Sequence, residues 1–271
     1  MTVLVLGVRL TFNYSTLVLP MKQIPTGIKG LDELLGGGFP KGKCLLVVGS
    51  PGSGKTTFGM QFLYNGALSD ERGLYISLDE KPERVKENLS PFGWDLDKLE
   101  REGKLLFIDG TPIRKVKRSI SGPYARELLE TSVLLSIPEL TLKSLVTVVS
   151  RVVQEEGIQR VVVDPITALA LRYIDPSKKR RATLFFFDSL IDTGCTSLVT
   201  TELRTGILNR SFQVEEFLSQ GVVLLHTIVH EGNVIRALQI EKMRGIQHDT
   251  QLRPYQISKN GIEVFPKDRV F

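Results

Sequence analysis

Cysteine, histidine and tryptophan are scarce in this sequence, which has two cysteines, three histidines and one tryptophan among 271 residues. Cys44 and Cys195 lie far apart, in apolar runs, without the short spacing of metal ligands. We therefore expect two buried free thiols rather than a zinc site or a disulfide framework. Nothing in this cysteine usage indicates an oxidising compartment, and we expect a cytoplasmic protein.

Long hydrophobic runs are also absent. A membrane-spanning helix needs about 20 consecutive apolar residues, so we expect no membrane partner. Residues 1–20 come nearest, but Arg9 interrupts them, and they lack a basic start and a small-residue cleavage site. This extension is open to three interpretations: an added β-strand or hairpin, a poorly ordered extension, or the product of an upstream start codon that makes Met21 the native start.

Neither sign of charge dominates. Lysine and arginine number 35 and aspartate and glutamate 30, which gives a formal net charge of +5. That balance permits a polyanionic partner without requiring one. The length suits one large domain or two small domains, and we expect a single domain over residues 21–271.

Short apolar runs alternate with helical patterns from residue 44 to residue 201, which is typical of βαβ units around a mainly parallel sheet. Strands are predicted at 44–48, 73–78, 104–108, 160–164 and 197–201. Helices are predicted at 56–68, 82–89, 144–156 and 183–192. Consecutive strands follow at 222–229, 234–242, 255–258 and 262–265, with hairpin turns at Gly232-Asn233 and Asn260-Gly261. The pattern predicts an α/β fold whose parallel core carries C-terminal antiparallel strands.

A phosphate-binding motif follows the first predicted strand. Gly49-Ser50-Pro51-Gly52-Ser53-Gly54-Lys55-Thr56 matches G-x-x-x-x-G-K-[ST] in full. The glycines let backbone N–H groups face phosphate oxygens, and the following helix adds its positive end. Lys55 supplies a cation for the β- and γ-phosphates, and Thr56 a hydroxyl for Mg²⁺. We predict that ATP and Mg²⁺ bind here and that Thr57 also contacts the nucleotide.

Carboxylates end two of the predicted strands. Asp164 ends a buried strand and is the predicted second magnesium ligand; the alternative is an aspartate that caps the turn at Pro165. Asp79 and Glu80 follow the strand after the phosphate-loop helix, where ligands bind in doubly wound folds. Glu80 is the predicted base that deprotonates water, with Asp79 in support. The alternative is a solvated acidic pair that caps the next helix.

With these residues in place, the chain resembles the single-domain KaiC-like ATPases of the RecA superfamily over about residues 24–266. The most specific matches are the phosphate loop, Thr26-Gly27-Ile28-Lys29-Gly30-Leu31-Asp32, Leu35-Gly36-Gly37-Gly38, Ser77-Leu78-Asp79-Glu80, Val163-Asp164 and Glu241-Lys242-Met243-Arg244-Gly245. Two positions depart from the family pattern, which usually has glutamate in place of Asp79 and serine in place of Pro165. The resemblance implies a RecA-like P-loop NTPase core.

The resemblance also implies a homo-oligomer, a ring or a filament, with ATP between subunits and a hexamer as the expected ring. Lys242 and Arg244 would then act in trans, as charge stabilisers at the neighbour's γ-phosphate. The alternative is a solvated basic pair at a strand end. His248 is a candidate nucleotide contact, whereas His226 and His230 are expected to be ordinary strand residues.

RecA-type recombinases bind DNA through two loops, which correspond here to residues 173–181 and 203–211. The first contains Lys178-Lys179-Arg180-Arg181, and the second contains Arg204 and Arg210. In a ring or filament these cations could neutralise the phosphates of single- or double-stranded DNA. The alternative is a solvated helix start and a mobile surface loop.

Three functions fit these features. The first is an oligomeric, Mg²⁺-dependent ATPase that acts on or is regulated by DNA. The second is a nucleotide-gated interaction or signalling module with little hydrolysis. The third is a kinase that transfers the γ-phosphoryl group to itself, as an autokinase, or to a partner.

Overall fold

The structure, a computed structural model, describes residues 2–5, 8–11, 21–111, 142–170, 173, 175–203 and 213–270. The helices in these ranges are α1 Leu31–Leu34, α2 Lys55–Leu68, α3 Pro82–Leu89, α4 Leu96–Arg101, α5 Leu142–Glu156, α6 Thr167–Ala170, α7 Pro176–Asp192 and α8 Val214–Leu218, with a 3₁₀ turn at Ser90–Phe92. The strands are β1 Thr2–Val5, β2 Val8–Thr11, β3 Gln23–Ile24, β4 Phe39–Pro40, β5 Cys44–Gly49, β6 Gly73–Ser77, β7 Leu105–Asp109, β8 Arg160–Asp164, β9 Thr196–Glu202, β10 Gly221–His230, β11 Asn233–Met243, β12 Arg253–Ser258 and β13 Gly261–Val264.

One mixed sheet organises the described chain. Its nine strands run in the order β13-β12-β11-β10-β5-β9-β8-β6-β7. The pairings from β7 to β10 are parallel, and those that join β10, β11, β12 and β13 are antiparallel. This arrangement confirms the predicted parallel α/β core with C-terminal antiparallel strands.

Helices cover both faces of this sheet. Side chains alternate along β5, so that Leu45 and Leu46 face opposite sides. Leu45 packs in the core that contains Phe58 of α2, and Leu46 packs in the core that contains Phe186 of α7 and the buried side of α5. Each fully buried side chain of this size contributes about 1.5–3 kcal/mol through the hydrophobic effect. The two layers therefore bury both faces of the sheet.

The carboxyl ends of the parallel strands meet at one edge of the sheet. Gly49 at the end of β5 pairs with Glu202 at the end of β9. Ser77 at the end of β6 pairs with Asp164 at the end of β8. This edge therefore gathers the phosphate loop and the strand-end carboxylates.

The start of α7 corrects one prediction. The helix begins at Pro176 and not at residue 183. The Asp175 side chain accepts hydrogen bonds from the backbone N–H groups of Ser177 and Lys178, and proline suits the first helical turn. The basic residues 178–181 thus lie in a helix rather than in a loop.

Both predicted hairpin turns are also wrong, each by one residue. Asn233 pairs with His230, so the first turn is Glu231-Gly232. Both turn residues have positive φ, at 49° and 78°, as a two-residue type I′ turn requires. Ser258 pairs with Gly261, which makes Lys259-Asn260 the second turn.

The N-terminal strands, the cysteines and the helix lengths bear on three further predictions. β1 and β2 pair as antiparallel strands, which agrees with one of the three interpretations of residues 1–20. Cys44 and Cys195 are buried free cysteines, as predicted. Among the described helices, none is long and apolar enough to cross a bilayer.

Candidate nucleotide site

The phosphate loop connects β5 to α2 in a tight turn. The backbone N–H of Ser53 donates to the carbonyl of Ser50 at 3.2 Å, and the Tyr255 hydroxyl donates to the Ser53 carbonyl at 2.7 Å. Gly54 has a φ of 88°, and a Cβ there would lie 2.7 Å from a methyl group of Ile257. Only glycine fits this position, which leaves the start of α2 open to a phosphate.

Lys55 lies at the mouth of this loop. Its ammonium donates to the carbonyls of Gly49 and Ser50 at 2.9 and 3.1 Å. Burial lowers the pKa of Lys55, while the carboxylates of Asp164 and Glu202 act in the opposite direction. A partly buried cation is therefore held where the β- and γ-phosphates of a nucleotide would lie.

Asp164 stands beside the loop as the acceptor of three hydroxyl groups. Thr56 and Tyr75 donate to one of its carboxylate oxygens at 2.7 and 2.6 Å, and Thr200 donates to the other. Asp164 is only 7% exposed, so these donors compensate the burial of its charge. Burial and the neighbouring Asp164 raise the pKa of Tyr75 well above its usual value.

The Thr56 and Asp164 pair fits a magnesium site. Both side chains offer oxygen atoms, which are the ligands that Mg²⁺ prefers, and Mg²⁺ commonly takes one or two protein carboxylates together with phosphates and water. The structure thus brings together the two predicted metal ligands. The peptide bond between Asp164 and Pro165 is cis.

Asp79 and Glu80 line the same cavity, whose volume is about 420 Å³. Lys55, Thr56, Thr57 and Asp164 also line it. A carboxylate oxygen of Glu80 accepts a hydrogen bond from Asn88 at 3.1 Å, and the Glu80 carbonyl accepts one from Ser77. Glu80 is therefore oriented by α3 and by the end of β6.

Several residues of the site were not predicted, among them Asn88, which orients Glu80. Glu202 lines the cavity at the end of β9, while Tyr75 and Thr200 hold Asp164. Glu202 carried a usable signal, because it is a carboxylate at the end of a parallel strand, like Asp164. No feature of the sequence could have identified Tyr75 and Thr200, since their contacts depend on which strands are neighbours.

The segment Lys242-Met243-Arg244 lies at the other end of the strands, where the parallel strands begin. Met243 pairs with Gly221, and Gly221 pairs with Leu45 near the start of β5. Leu45 precedes Gly49 by about 13 Å of strand. Neither basic side chain of this segment is brought to the phosphate loop of the same chain.

The two basic residues of this segment differ in their surroundings. Lys242 donates to the carbonyls of Glu216 and Ser219 at 2.6 and 2.8 Å. Burial lowers the pKa of Lys242, and the nearby Arg244 lowers it further. Arg244 is exposed. Within the chain, Lys242 thus binds the end of α8, and Arg244 is exposed.

The candidate nucleotide contact His248 follows β11, near the end of α1. His248 precedes Asp249, whose backbone N–H donates to the Leu34 carbonyl at the end of α1. Both ring nitrogens of His248 are buried, and neither has a hydrogen-bond partner among the described residues. His226 and His230 belong to β10, as expected.

Of the two segments predicted to contact DNA, the structure describes the basic residues of the first only. Lys178, Arg180 and Arg181 are exposed on the first turns of α7, and Lys179 forms an ion pair with buried Glu215 at 3.6 Å. Arg204 and Arg210 lie outside the described residues.

Replacing Tyr75 with phenylalanine tests how the Asp164 carboxylate is held. A hydrogen bond to a charged group contributes about 1.5–3 kcal/mol, whereas a neutral one contributes about 1 kcal/mol. We expect Tyr75→Phe to lower the free energy of unfolding by more than Tyr255→Phe, which loses a bond to a backbone carbonyl. Urea titration of both variants without nucleotide measures the difference; equal losses would contradict a charged acceptor at Asp164.

Comparison with known proteins agrees with this geometry. A family model described as "ATPase: KaiC" matches residues 24–269. The UPF0273 protein of Thermotoga maritima is 33% identical over 249 residues, which cover 92% of this chain and 98% of that protein. The circadian clock oscillator protein KaiC of Synechococcus elongatus is 34% identical over 247 residues, which cover 90% of this chain but only 44% of the clock protein.

A solved structure matches as well. The crystal structure of a KaiC-like protein from the hyperthermophilic archaeon Pyrococcus horikoshii superimposes with a TM-score of 0.76 at 32% identity. The match covers 91% of this chain and 100% of the archaeal chain. The resemblance and the fold predicted from the motifs are thereby confirmed.

Proposed function

The chain belongs to the KaiC ATPase family, and on this basis we propose that it binds ATP with Mg²⁺ and hydrolyses the ATP in a homo-oligomeric ring or filament. The observation that carries the proposal is that the candidate site residues line one cavity. It combines the Lys55 cation, the Thr56 and Asp164 oxygens and the Glu80 carboxylate at one edge of the sheet.

Each side chain has a chemical task in this proposal. Loop N–H groups and Lys55 hold the phosphates, because they supply positive charge next to a helix N-terminus. Thr56 and Asp164 hold Mg²⁺, which when bound neutralises charge on the β- and γ-phosphate oxygens. Glu80 accepts a proton from the water that attacks the γ-phosphorus, and Asn88 fixes its orientation.

Self-assembly completes the site. Arg244 is exposed at the sheet edge opposite the phosphate loop of its own subunit. A head-to-tail interface joins two different surfaces, and its repetition closes a ring or extends a filament. In such an assembly Arg244, with Lys242, approaches the γ-phosphate of the next subunit, and His248 lies on the same side. A six-membered ring is the form that we propose.

Phosphate release combined with light scattering tests the proposal. We expect ATP and Mg²⁺ to increase the molar mass and to release phosphate under the same conditions, and EDTA to stop the release. Assembly without phosphate release would contradict hydrolysis and favour a nucleotide-gated interaction module. Transfer of γ-labelled phosphate to the protein itself would favour an autokinase.

A nucleic-acid partner is a second proposal, supported by the exposed cations on the first turns of α7. Changing Lys178, Arg180 and Arg181 to glutamine is expected to weaken binding of single-stranded DNA and to reduce the slope of log K against log salt by about 2. Fluorescence anisotropy over a salt series measures this slope. A control variant with glutamine at the scattered exposed residues Lys41, Lys259 and Lys267 should keep the wild-type slope; equal slopes in the two variants would count against this surface.

A further inference from the structure

The short helix α8 lies between the two functional edges of the subunit. At its N-terminal end, the Gln213 side chain donates to the backbone carbonyl of Glu202 at 2.6 Å. Glu202 lines the cavity and pairs in register with Gly49, the first residue of the phosphate loop. The N-terminal end of α8 is therefore tied to the subunit's own nucleotide cavity by a buried amide.

The other end of α8 is tied to the opposite edge. The carbonyls of Glu216 and Ser219 both accept hydrogen bonds from Lys242. A lysine at the C-terminal end of a helix also interacts favourably with the helix dipole. Because an ammonium group has three N–H donors, these two bonds leave one donor for a further acceptor.

Additional contacts hold α8 as one body between these ends. The backbone N–H of Gln213 donates to the Glu216 carboxylate at 3.1 Å. Glu215 is 4% exposed and pairs with Lys179 of α7. The helix therefore has little freedom to move at one end without the other, and its length from 213 to 219 is about 9 Å.

We propose that Gln213 and Lys242 are positioning residues that couple the nucleotide cavity of one subunit to the cavity of the next through α8. This inference rests on the proposed function, because it requires that the Lys242 and Arg244 edge meets the neighbour's phosphates. A phosphate oxygen that takes the third donor of Lys242 fixes this side chain and the end of α8. Gln213 transmits the constraint to Glu202, beside the phosphate loop.

The coupling has a measurable consequence. When one cavity is filled, its phosphate orders Lys242 and α8 of the adjacent subunit, so that less ordering remains when that subunit binds its own nucleotide. Binding should therefore be positively cooperative, with a coupling of about 5-fold or more. Gln213→Met keeps the size of the side chain but removes the donor to Glu202, and we expect it to bring the Hill coefficient to about 1.

The experiment uses the assembled protein and a fluorescent, non-hydrolysable ATP analogue. Binding isotherms are measured for wild type, Gln213→Met, Lys242→Met and the double variant. If α8 carries the coupling, Lys242→Met has no further effect on cooperativity once Gln213 is replaced. Gln220→Met is the matched control, because it loses a side-chain bond to the backbone N–H of Cys44 but leaves both ends of α8 intact; it should remain cooperative.

Several outcomes would overturn the coupling. These are a non-cooperative wild type, a Gln213→Met variant with the wild-type Hill coefficient, and additive effects of the two substitutions. If thermal unfolding shows that Gln213→Met does not fold, Lys242→Arg decides instead: it should restore the cooperativity that Lys242→Met loses, and failure to do so overturns the proposal. The proposed function and the coupling can fail separately. Non-cooperative binding in an assembly that releases phosphate would reject the coupling but not the proposed function. Cooperative binding without phosphate release would reject hydrolysis but not the coupling.

Discussion

Replacing Arg244 with alanine is expected to lower kcat for ATP hydrolysis by about 10³-fold or more, with a much smaller effect on ATP binding. The γ-phosphate and its leaving group redistribute negative charge in the transition state, and a positioned guanidinium stabilises that charge more than the ground state. Arg244 is exposed at the edge away from its own loop, so its effect should depend on assembly. Phosphate release and nucleotide binding, measured on assembled protein, separate the two effects.

A mixing experiment shows whether Arg244 acts in trans. Arg244→Ala keeps its own loop, and Lys55→Ala keeps its Arg244, so each variant alone should be nearly inactive. In an equal random mixture, about a quarter of the head-to-tail interfaces join an intact loop to an intact Arg244 and should recover activity. Arg101→Ala, a change of another exposed arginine, is the control and should match wild type. Mixed assemblies that recover no activity would contradict a role in trans.

Replacing Glu80 with glutamine is expected to lower kcat by about 10²–10⁴-fold, the usual range for loss of a general base. Glutamine keeps the size of the side chain and its ability to accept a hydrogen bond from Asn88, but it cannot take a proton from water. Nucleotide affinity should be retained, because Lys55, Thr56 and Asp164 are unchanged. The variant should therefore hold ATP without releasing phosphate, which single-turnover measurement detects.

Two further variants test whether the loss of activity is specific to Glu80. Asp79→Asn should have a smaller effect, since Asp79 is predicted only to support the base. Glu83→Gln changes an exposed glutamate in the first turn of α3 and should leave the rate unaltered. A Glu80→Gln protein with the wild-type rate would assign the proton transfer to another group, and Glu202, which also lines the cavity, is then the next carboxylate to examine.

The parts of the site that could be predicted are those that depend on short runs of consecutive residues. The phosphate loop is a run of consecutive residues, and its chemistry depends on backbone freedom at Gly54 and on a helix that starts at Lys55. Asp164 was predictable because a carboxylate at the end of a buried strand needs a partner. The Glu202 carboxylate escaped notice because the strand was ended one residue early, at Thr201.

The errors in the fold also have local causes. The start of α7 was placed too late because apolar periodicity begins after the capping sequence of Asp175 and Pro176. The first hairpin turn was misplaced because Glu231 adopts a positive φ that its residue type does not favour.

Sequence alone determined the phosphate-loop motif, the strand-end carboxylate Asp164 and the alternation of strands and helices, because each depends on neighbouring residues or on periodicity. Only the tertiary structure decided which groups surround Asp164, since Tyr75 and Thr200 lie on strands that flank β8 on either side. It also decided that Lys242 and Arg244 lie away from their own loop. That separation arises because β10 runs parallel to β5 and β11 reverses direction, so that the chain returns to the far edge of the sheet. Such relations depend on strand order and register, which are set by long-range hydrogen bonds and packing rather than by any local pattern.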